Sequence, residues 1–145
     1  MILIAHRGNI NGPNHEEENK PSYLLQAINS GFHIETDLWI IDNNLFLGHD
    51  KPQYQINIDF LLNINDKLFL DCKNIPSLKY IIKNYPEIEC FFHDNDECVL
   101  TSKNKLWTFP GKELTELSIC VMPERCNQQP INCLGVCTDY PQKYN

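Results

Sequence analysis

Short apolar runs recur along the chain and alternate with polar segments. The run at residues 1–5 is continuous and rich in Ile, which is typical of a buried strand, and residues 67–72 contain a further apolar run, Leu68-Phe69-Leu70. Residues 32–41 predict a longer strand that returns as a short strand at 45–48 after a turn. Further strands are predicted at residues 88–92, 117–122 and 134–137, and a β-hairpin is predicted near 98–109.

Two segments show helical spacing instead. Residues 21–29 begin with a proline and carry Tyr, Leu, Ala and Ile on one face, and residues 76–85 follow the same plan. Residues 60–62 predict a short helix or a turn. Strands that alternate with helices predict an α/β fold with a parallel sheet or barrel, although several connections are too short for a full helix.

Composition narrows the class of protein. The chain has 145 residues and a net charge of −7, so we expect one domain over residues 1–145 and no nucleic-acid partner. No apolar run reaches the length of a membrane span, which predicts no stable membrane insertion. Seven cysteines without a CxxC pair, and a short apolar start without a basic region before it, predict reduced thiols in a cytoplasmic protein.

Polar side chains follow the predicted strands at the point where each strand ends. In folds with parallel strands, this is the edge of the sheet where ligands bind. The residues at these positions are His6 and Arg7, Glu35 and Asp37, His49 and Asp50, Asp71 and Lys73, His93 and Asp94, and Asp139.

The first candidate site is a set of carboxylates. Glu35 and Asp37 lie two residues apart in a strand and therefore share one face. With Asp71 from a neighbouring strand they offer three hard oxygen ligands, which suit one divalent cation, Mg²⁺ or Ca²⁺. The alternative is that Glu35 and Asp37 are solvated residues on an outer face.

Two histidines and an arginine accompany these carboxylates. His6 and His49 each end a short strand, and beside a carboxylate cluster they fit an acid–base pair. Taken singly, each histidine is more often structural. Arg7 is a candidate for binding a phosphate, with a surface salt bridge as the alternative.

Two further residues leave alternatives open. His93 follows a predicted strand and is expected either at the rim of the pocket or in a turn. Trp107, on the predicted hairpin, is expected either to cover an open flank of the barrel or to form an aromatic wall for a substrate.

Taken together and in order, these motifs resemble the glycerophosphodiester phosphodiesterase family, whose usual pattern is HRG, PEN, ExD and HD. The resemblance runs from residue 2 to about 141. The Asp-x-Lys form at residues 71–73 is also similar to the sphingomyelinase D group. The matching motifs here are His6-Arg7-Gly8, Glu18-Asn19, Glu35-Thr36-Asp37, His49-Asp50, Asp71-Cys72-Lys73 and Gly135-Val136-Cys137-Thr138-Asp139-Tyr140-Pro141.

The resemblance implies a TIM-like (β/α) barrel, reduced here because a full barrel takes about 250 residues, with several outer helices shortened or missing. It also implies residue roles. The cation would be held by Glu35, Asp37 and Asp71, His6 and His49 would be the acid–base pair, Arg7 and Lys73 would bind the substrate phosphate, and Glu18 and Asn19 would support the site.

The implied function is a metal-dependent phosphodiesterase that cleaves glycerophosphodiesters or related polyol phosphodiesters through a cyclic phosphate. Two alternatives stay open, a catalytically weak module that binds phosphate esters and a phospholipase or lyase of the sphingomyelinase D kind. The expected partner is a small-molecule phosphodiester substrate. A homodimer is also an expectation, because an incomplete helix layer would expose apolar surface.

Overall fold

The computed structural model describes residues 1–145, in which ten strands are accompanied by only three α-helices. The helices are α1 (Pro21–Asn29), α2 (Ile58–Asn63) and α3 (Ile75–Asn84). Three short 3-10 turns lie at Asn65–Lys67, Pro123–Arg125 and Pro141–Tyr144. The strands are β1 (Ile2–His6), β2 (His33–Ile41), β3 (Asn44–Leu47), β4 (Tyr54–Ile56), β5 (Leu68–Cys72), β6 (Cys90–Phe91), β7 (Cys98–Leu100), β8 (Leu106–Thr108), β9 (Ser118–Val121) and β10 (Gly135–Thr138).

Local sequence accounts for where the helices begin. The side chains of Asn57 and Asn74 accept hydrogen bonds from the backbone N–H groups of Phe60 and Ser77, which caps the first turns of α2 and α3. The first helix begins instead with Pro21, whose fixed φ suits the first helical position. None of the helices has the length and the apolar character needed to cross a lipid bilayer.

The strands form one sheet. Seven parallel strands lie side by side in the order β6-β5-β2-β1-β10-β9-β8, and β7 adds an antiparallel edge next to β8. The antiparallel ribbon β3-β4 continues along β2 beyond the end of β1, on the edge of β2 that does not pair with β5. The predicted hairpin near 98–109 is confirmed as the β7–β8 pair.

The sheet curls strongly. Phe69 on β5 and Trp107 on β8 are separated by several strands in the sheet order, yet their ring centroids lie 5.7 Å apart. The backbone N–H of Ser102 also donates to the carbonyl of Cys90 at 2.8 Å, which joins the hairpin to β6. The curl therefore creates a concave face that is lined by side chains from both ends of the sheet.

Successive side chains of a strand point to opposite faces of the sheet, so the apolar residues form two separate clusters. The larger cluster includes Ile34, Leu38 and Leu70 and packs with side chains from the helices, among them Leu24 and Ile81. The smaller cluster lies on the concave face and consists of Ile4, Phe69, Phe91, Trp107, Ile119, Val121, Met122 and Cys137. It forms an apolar floor beneath the polar residues at the strand ends.

The prediction of a reduced TIM-like (β/α) barrel is wrong. The structure is a curled mixed sheet, a half-barrel of eight strands, with three short helices. No α-helix follows β6, because the connections there are short or interrupted by Pro110, Gly111, Pro123 and Pro130. The sequence also did not predict β4, a strand of three residues.

Candidate functional site

The candidate site is a pocket of about 130 Å³ at the carboxyl ends of the parallel strands. One side is polar and is lined by His6, Arg7, Glu35, Asp37, His49 and Asp71. The other side is largely apolar and is formed by Trp107, Phe109, Pro110, Val121 and Met122, with His93 and Arg125 also facing the pocket. Six of the nine residues for which the sequence predicted site roles therefore line one cavity.

The three predicted metal ligands come together. Parallel pairing of β2 with β5 places Asp37 directly beside Asp71, and Glu35 lies on the same face of β2. One ligand oxygen from each side chain lies within 4.8 Å of the others. Their exposed fractions are only 3%, 1% and 5%, so the alternative of a solvated outer face is excluded.

Each aspartate has one oxygen that is hydrogen-bonded and one that is not. Asp37 Oδ2 accepts from Asn19 Nδ2 at 2.9 Å, and Asp71 Oδ2 lies 3.1 Å from His93 Nε2. In contrast, Asp37 Oδ1 and Asp71 Oδ1 are buried and have no hydrogen-bond partner. Buried carboxylate oxygens without a partner are costly, and an oxygen-binding divalent cation would satisfy both.

The electrostatics of the cluster lead to the same conclusion. Burial raises the pKa of Glu35 well above its ordinary value, and the nearby charges of Asp37 and Asp71 add to this rise despite the opposing effect of Arg7. Burial, together with Asp71, also raises the pKa of Asp37. A bound cation would favour the ionised forms of both residues. The donor set therefore fits Mg²⁺ or Ca²⁺, which prefer oxygen ligands.

Arg7 is tied to the carboxylates by its backbone and its side chain. Its N–H donates to Glu35 Oε2 at 3.1 Å, Nη1 donates to Glu18 Oε2 at 3.3 Å, and Nε lies 3.4 Å from Asp37 Oδ2. Burial alone would lower the pKa of Arg7, but Glu35, Asp37 and Glu18 outweigh it and raise the pKa. The backbone at Arg7 has a φ of 53°, a left-handed conformation that turns its N–H toward Glu35.

Lys73 lies beside the cluster but not on the pocket wall. Its Nζ is 3.4 Å from Asp71 Oδ2 and 3.8 Å from Asp37 Oδ1. It therefore lowers the cost of keeping two neighbouring aspartates ionised inside the fold.

His6 is oriented by Asp139, the residue that follows β10. Its Nδ1 lies 2.8 Å from Asp139 Oδ1, and its Nε2 faces the cluster at 4.0 Å from Glu35 Oε2. Burial would raise the pKa of Asp139, but the hydrogen bonds from His6 and Asn9 outweigh it and lower the pKa. A carboxylate at Nδ1 fixes the ring with Nε2 directed toward the pocket.

His49 lines the same pocket from the turn after β3, and its side chain is more exposed than that of His6. Its Nδ1 lies 2.7 Å from Asp50 Oδ1, and its side chain is 41% exposed. The preceding Gly48 donates its N–H to the carbonyl of Asp37 at 3.1 Å, which fixes His49 next to the carboxylates. A Cβ at residue 48 would lie only 2.1 Å from the carbonyl oxygen of Lys51, so this turn requires glycine.

The loop after β1 supports the site through amide and carboxylate side chains. Asn19 accepts from Thr36 Oγ1 at 2.6 Å and from the N–H of Asp37 at 3.2 Å, while it donates to Asp37 Oδ2. Glu18 accepts from Asn9 Nδ2 at 2.8 Å as well as from Arg7. Burial would raise the pKa of Glu18, but Asn9 and Arg7 outweigh it and lower the pKa. Glu18 and Asn19 are therefore buried beside the site.

Sequence reasoning missed several contacts of the site. The hydrogen bond of Asn9 to Asp139 Oδ1 at 2.9 Å and the pairing of Asp139 with His6 were not predicted, although Asp139 was noted as a strand-end residue. His93 lies on the pocket wall, where its contact with Asp71, outweighing burial, raises its pKa. Trp107 is 3% exposed and stacks on Phe91 at 4.6 Å, so it belongs to the apolar floor as well as to the pocket wall.

Comparisons with known proteins give no assignment for this arrangement. No family model matches the chain, and neither does any curated protein or solved structure.

Proposed function

We propose that this protein is a metal-dependent phosphodiesterase that cleaves glycerophosphodiesters or related polyol phosphodiesters, in the manner of the glycerophosphodiester phosphodiesterase family. The observation that carries the proposal is one pocket with three convergent buried carboxylates, two of which have an oxygen without a hydrogen bond, and with His6 and His49 on its wall. A module that only binds phosphate esters has no need for two imidazoles beside a cation.

Glu35, Asp37 and Asp71 would hold the divalent cation, Mg²⁺ or Ca²⁺. When bound, such a cation supplies neutralising charge for the anionic phosphoryl oxygens of a substrate. Asn19 and His93 each occupy one oxygen of an aspartate, and this leaves the other oxygen free to act as a ligand. The carboxylates are thereby preorganised before any ligand arrives.

His6 and His49 act as the acid–base pair. A hydroxyl of the substrate that neighbours the phosphate forms a new O–P bond, while the bond from phosphorus to the leaving alcohol breaks. One imidazole takes the proton of the attacking hydroxyl, and the other donates a proton to the leaving oxygen. The product is a cyclic phosphate and a free alcohol, and water then opens the ring.

The imidazoles are prepared for these roles by carboxylates. Nδ1 of His6 contacts Asp139, and Nδ1 of His49 contacts Asp50. A ring that donates its Nδ1–H to a carboxylate keeps Nε2 as the atom that exchanges the proton. Arg7 and Lys73 are the proposed phosphate-binding residues, and they add positive charge beside the cluster.

We further propose a reducing compartment, the cytoplasm, because all seven cysteines are free thiols and four of them are buried. The partner is a small-molecule phosphodiester substrate.

The experiment is an assay of the purified protein, stripped of metal and then supplied with Mg²⁺ or Ca²⁺, against glycerophosphodiesters, lysolipids and cyclic phosphates. Phosphorus NMR identifies the product. We expect cleavage of a glycerophosphodiester that requires added metal and is absent in Glu35→Gln. If no phosphodiester is cleaved with either metal while phosphate esters still bind, the protein is a binding module and the proposal is wrong.

A further inference from the structure

We infer that Arg125 is a specificity-determining residue of the pocket, and that it binds the anionic oxygens of the substrate phosphate from the wall opposite the carboxylates. This inference rests on the proposed function and extends it to a residue that no motif of the chain marks. It begins from the arginines, because the sequence contains only two, Arg7 and Arg125, and both line the same pocket.

The two arginines differ in what they already bind. Arg7 contacts Glu18 and Asp37 through its guanidinium group and Glu35 through its backbone, so much of its capacity is used within the protein. Arg125 makes no side-chain hydrogen bond and no ion pair, although the chain carries a net charge of −7. A guanidinium group that faces a pocket without a carboxylate partner is free to bind an anion from solution.

The backbone before Arg125 makes a sharp turn next to the pocket. Met122 ends β9 in a left-handed conformation with a φ of 46°, which is unfavourable for a long side chain. Its N–H donates to the carbonyl of Cys137 at 2.7 Å, and its carbonyl accepts from the N–H of Arg125 at 3.0 Å. The chain therefore reverses sharply at the pocket and forms the 3-10 turn Pro123–Arg125.

The neighbouring carboxylate points the other way. Glu124 accepts from Thr138 Oγ1 at 2.8 Å and from the N–H of Asp139 at 3.1 Å, which anchors the turn to β10. The only acidic residue of this turn is thereby kept from neutralising Arg125. Arg125 is exposed at the rim of the pocket, and the wall on its side also carries the apolar Phe109, Val121 and Met122.

With a divalent cation bound, the pocket would offer the substrate phosphate positive groups on two sides, the cation with Arg7 on one and Arg125 on the other. Arg7 and the carboxylate cluster lie on the side formed by β1, β2 and β5, while Arg125 lies beyond the end of β9. Bidentate guanidinium binding is geometrically specific for phosphate oxygens. Arg125 therefore selects anionic esters over neutral ones of the same size.

The test is calorimetric titration of inorganic phosphate and of glycerol 3-phosphate into the protein loaded with Mg²⁺. Arg125→Gln is compared with Arg125→Lys and with Lys83→Gln, which removes the same charge from an exposed position on α3. We expect Arg125→Gln to weaken phosphate binding at least about tenfold, with Arg125→Lys intermediate and Lys83→Gln unchanged. Mg²⁺ affinity, titrated separately, is expected to be the same in all four proteins.

An equal phosphate affinity in Arg125→Gln and the wild type overturns the inference. The same holds if Mg²⁺ affinity falls in parallel, because the effect would then act through the metal. If the wild type cleaves phosphodiesters and Arg125→Gln binds phosphate normally, only the role of Arg125 fails. If the wild type neither binds phosphate esters nor cleaves phosphodiesters, both the inference and the proposed function are wrong.

Discussion

The two halves of the chain build the same sheet in different ways. Up to β6, large aliphatic side chains such as Ile34, Leu38 and Leu70 fill the outer face of the strands, and helices cover them. Beyond β6 there is no α-helix, and on the outer face of β8, β9 and β10 the small or polar Thr108, Ser118, Cys120 and Thr138 outnumber the aliphatic Leu106 and Val136. Small and polar side chains can be covered by loops and by hydrogen bonds such as that from Thr108 to Ser118 at 3.1 Å.

The halves also divide the pocket. The first half supplies the carboxylates of β2 and β5, His6 and His49, which are the groups proposed to hold a cation and to exchange protons. The second half supplies the apolar wall, Arg125, and Asp139, which orients His6. The helix-covered half therefore carries the groups proposed to react, while the loop-rich half shapes the space that a substrate would occupy.

The strongest test of this division is removal of a metal ligand in the first half. We expect Glu35→Gln to lower activity by roughly 10²–10⁴-fold and to weaken Mg²⁺ and Ca²⁺ binding with it, because one of three charged ligands is lost. Calorimetric titration of each metal measures the affinity. Unchanged metal binding in Glu35→Gln would remove this residue from the ligand set.

The next effect separates proton transfer from metal binding. His6→Ala and His49→Ala are each expected to lower turnover by roughly 10²–10⁴-fold while the metal affinity stays at the wild-type value. Asp139→Asn is expected to lower turnover less, because it alters the orientation of His6 without removing the imidazole. A near wild-type rate in either alanine variant would contradict the role of that histidine.

A stability comparison tests whether the halves differ in packing. Leu70→Ala removes a fully buried side chain beneath the helices and is expected to cost about 2–5 kcal/mol of unfolding free energy. Cys120→Ala, at a fully buried position under the loops, is expected to cost about 1 kcal/mol, because its side chain is small. Urea denaturation measures both values, and equal losses would contradict this expectation.

The smallest effect is the pH dependence of the metal-free protein. The pKa of Glu35 is raised above its ordinary value of 4.5 by burial and by Asp37 and Asp71. The stabilisation from protonated Glu35 is therefore complete below pH 4.5 and is lost as the pH rises through the folded-state pKa. The free energy of unfolding of metal-free Glu35→Gln should therefore fall less than that of the wild type as the pH rises above 4.5. Glu18 and Asp139, whose pKa values are lowered, contribute with the opposite sign in both proteins and cancel in the difference. Parallel pH profiles of the two proteins would contradict this account.

The sequence predicted the local parts of this molecule better than its outer layers. The first helix was predicted with its observed bounds, and the alternation in β2 correctly placed Glu35 and Asp37 on one face. The barrel prediction failed because strand-end motifs say nothing about what covers the outside of the sheet, and the segments after residue 91 lack helical spacing. The contact of His93 with Asp71 was out of reach because it depends on the direction of a side chain in an irregular segment.

The pairing of β1 with β10 also affects how the chain folds while it is being synthesised. His6 and Asp139 are separated by 133 positions, and the strands that carry them lie next to each other in the sheet. While a ribosome is still synthesising the chain, β1 has no neighbour on that side, and such distant contacts form slowly. The imidazole of His6 gains its carboxylate partner only after residues 135–139 have emerged, so the orientation of this ring depends on the docking of β10.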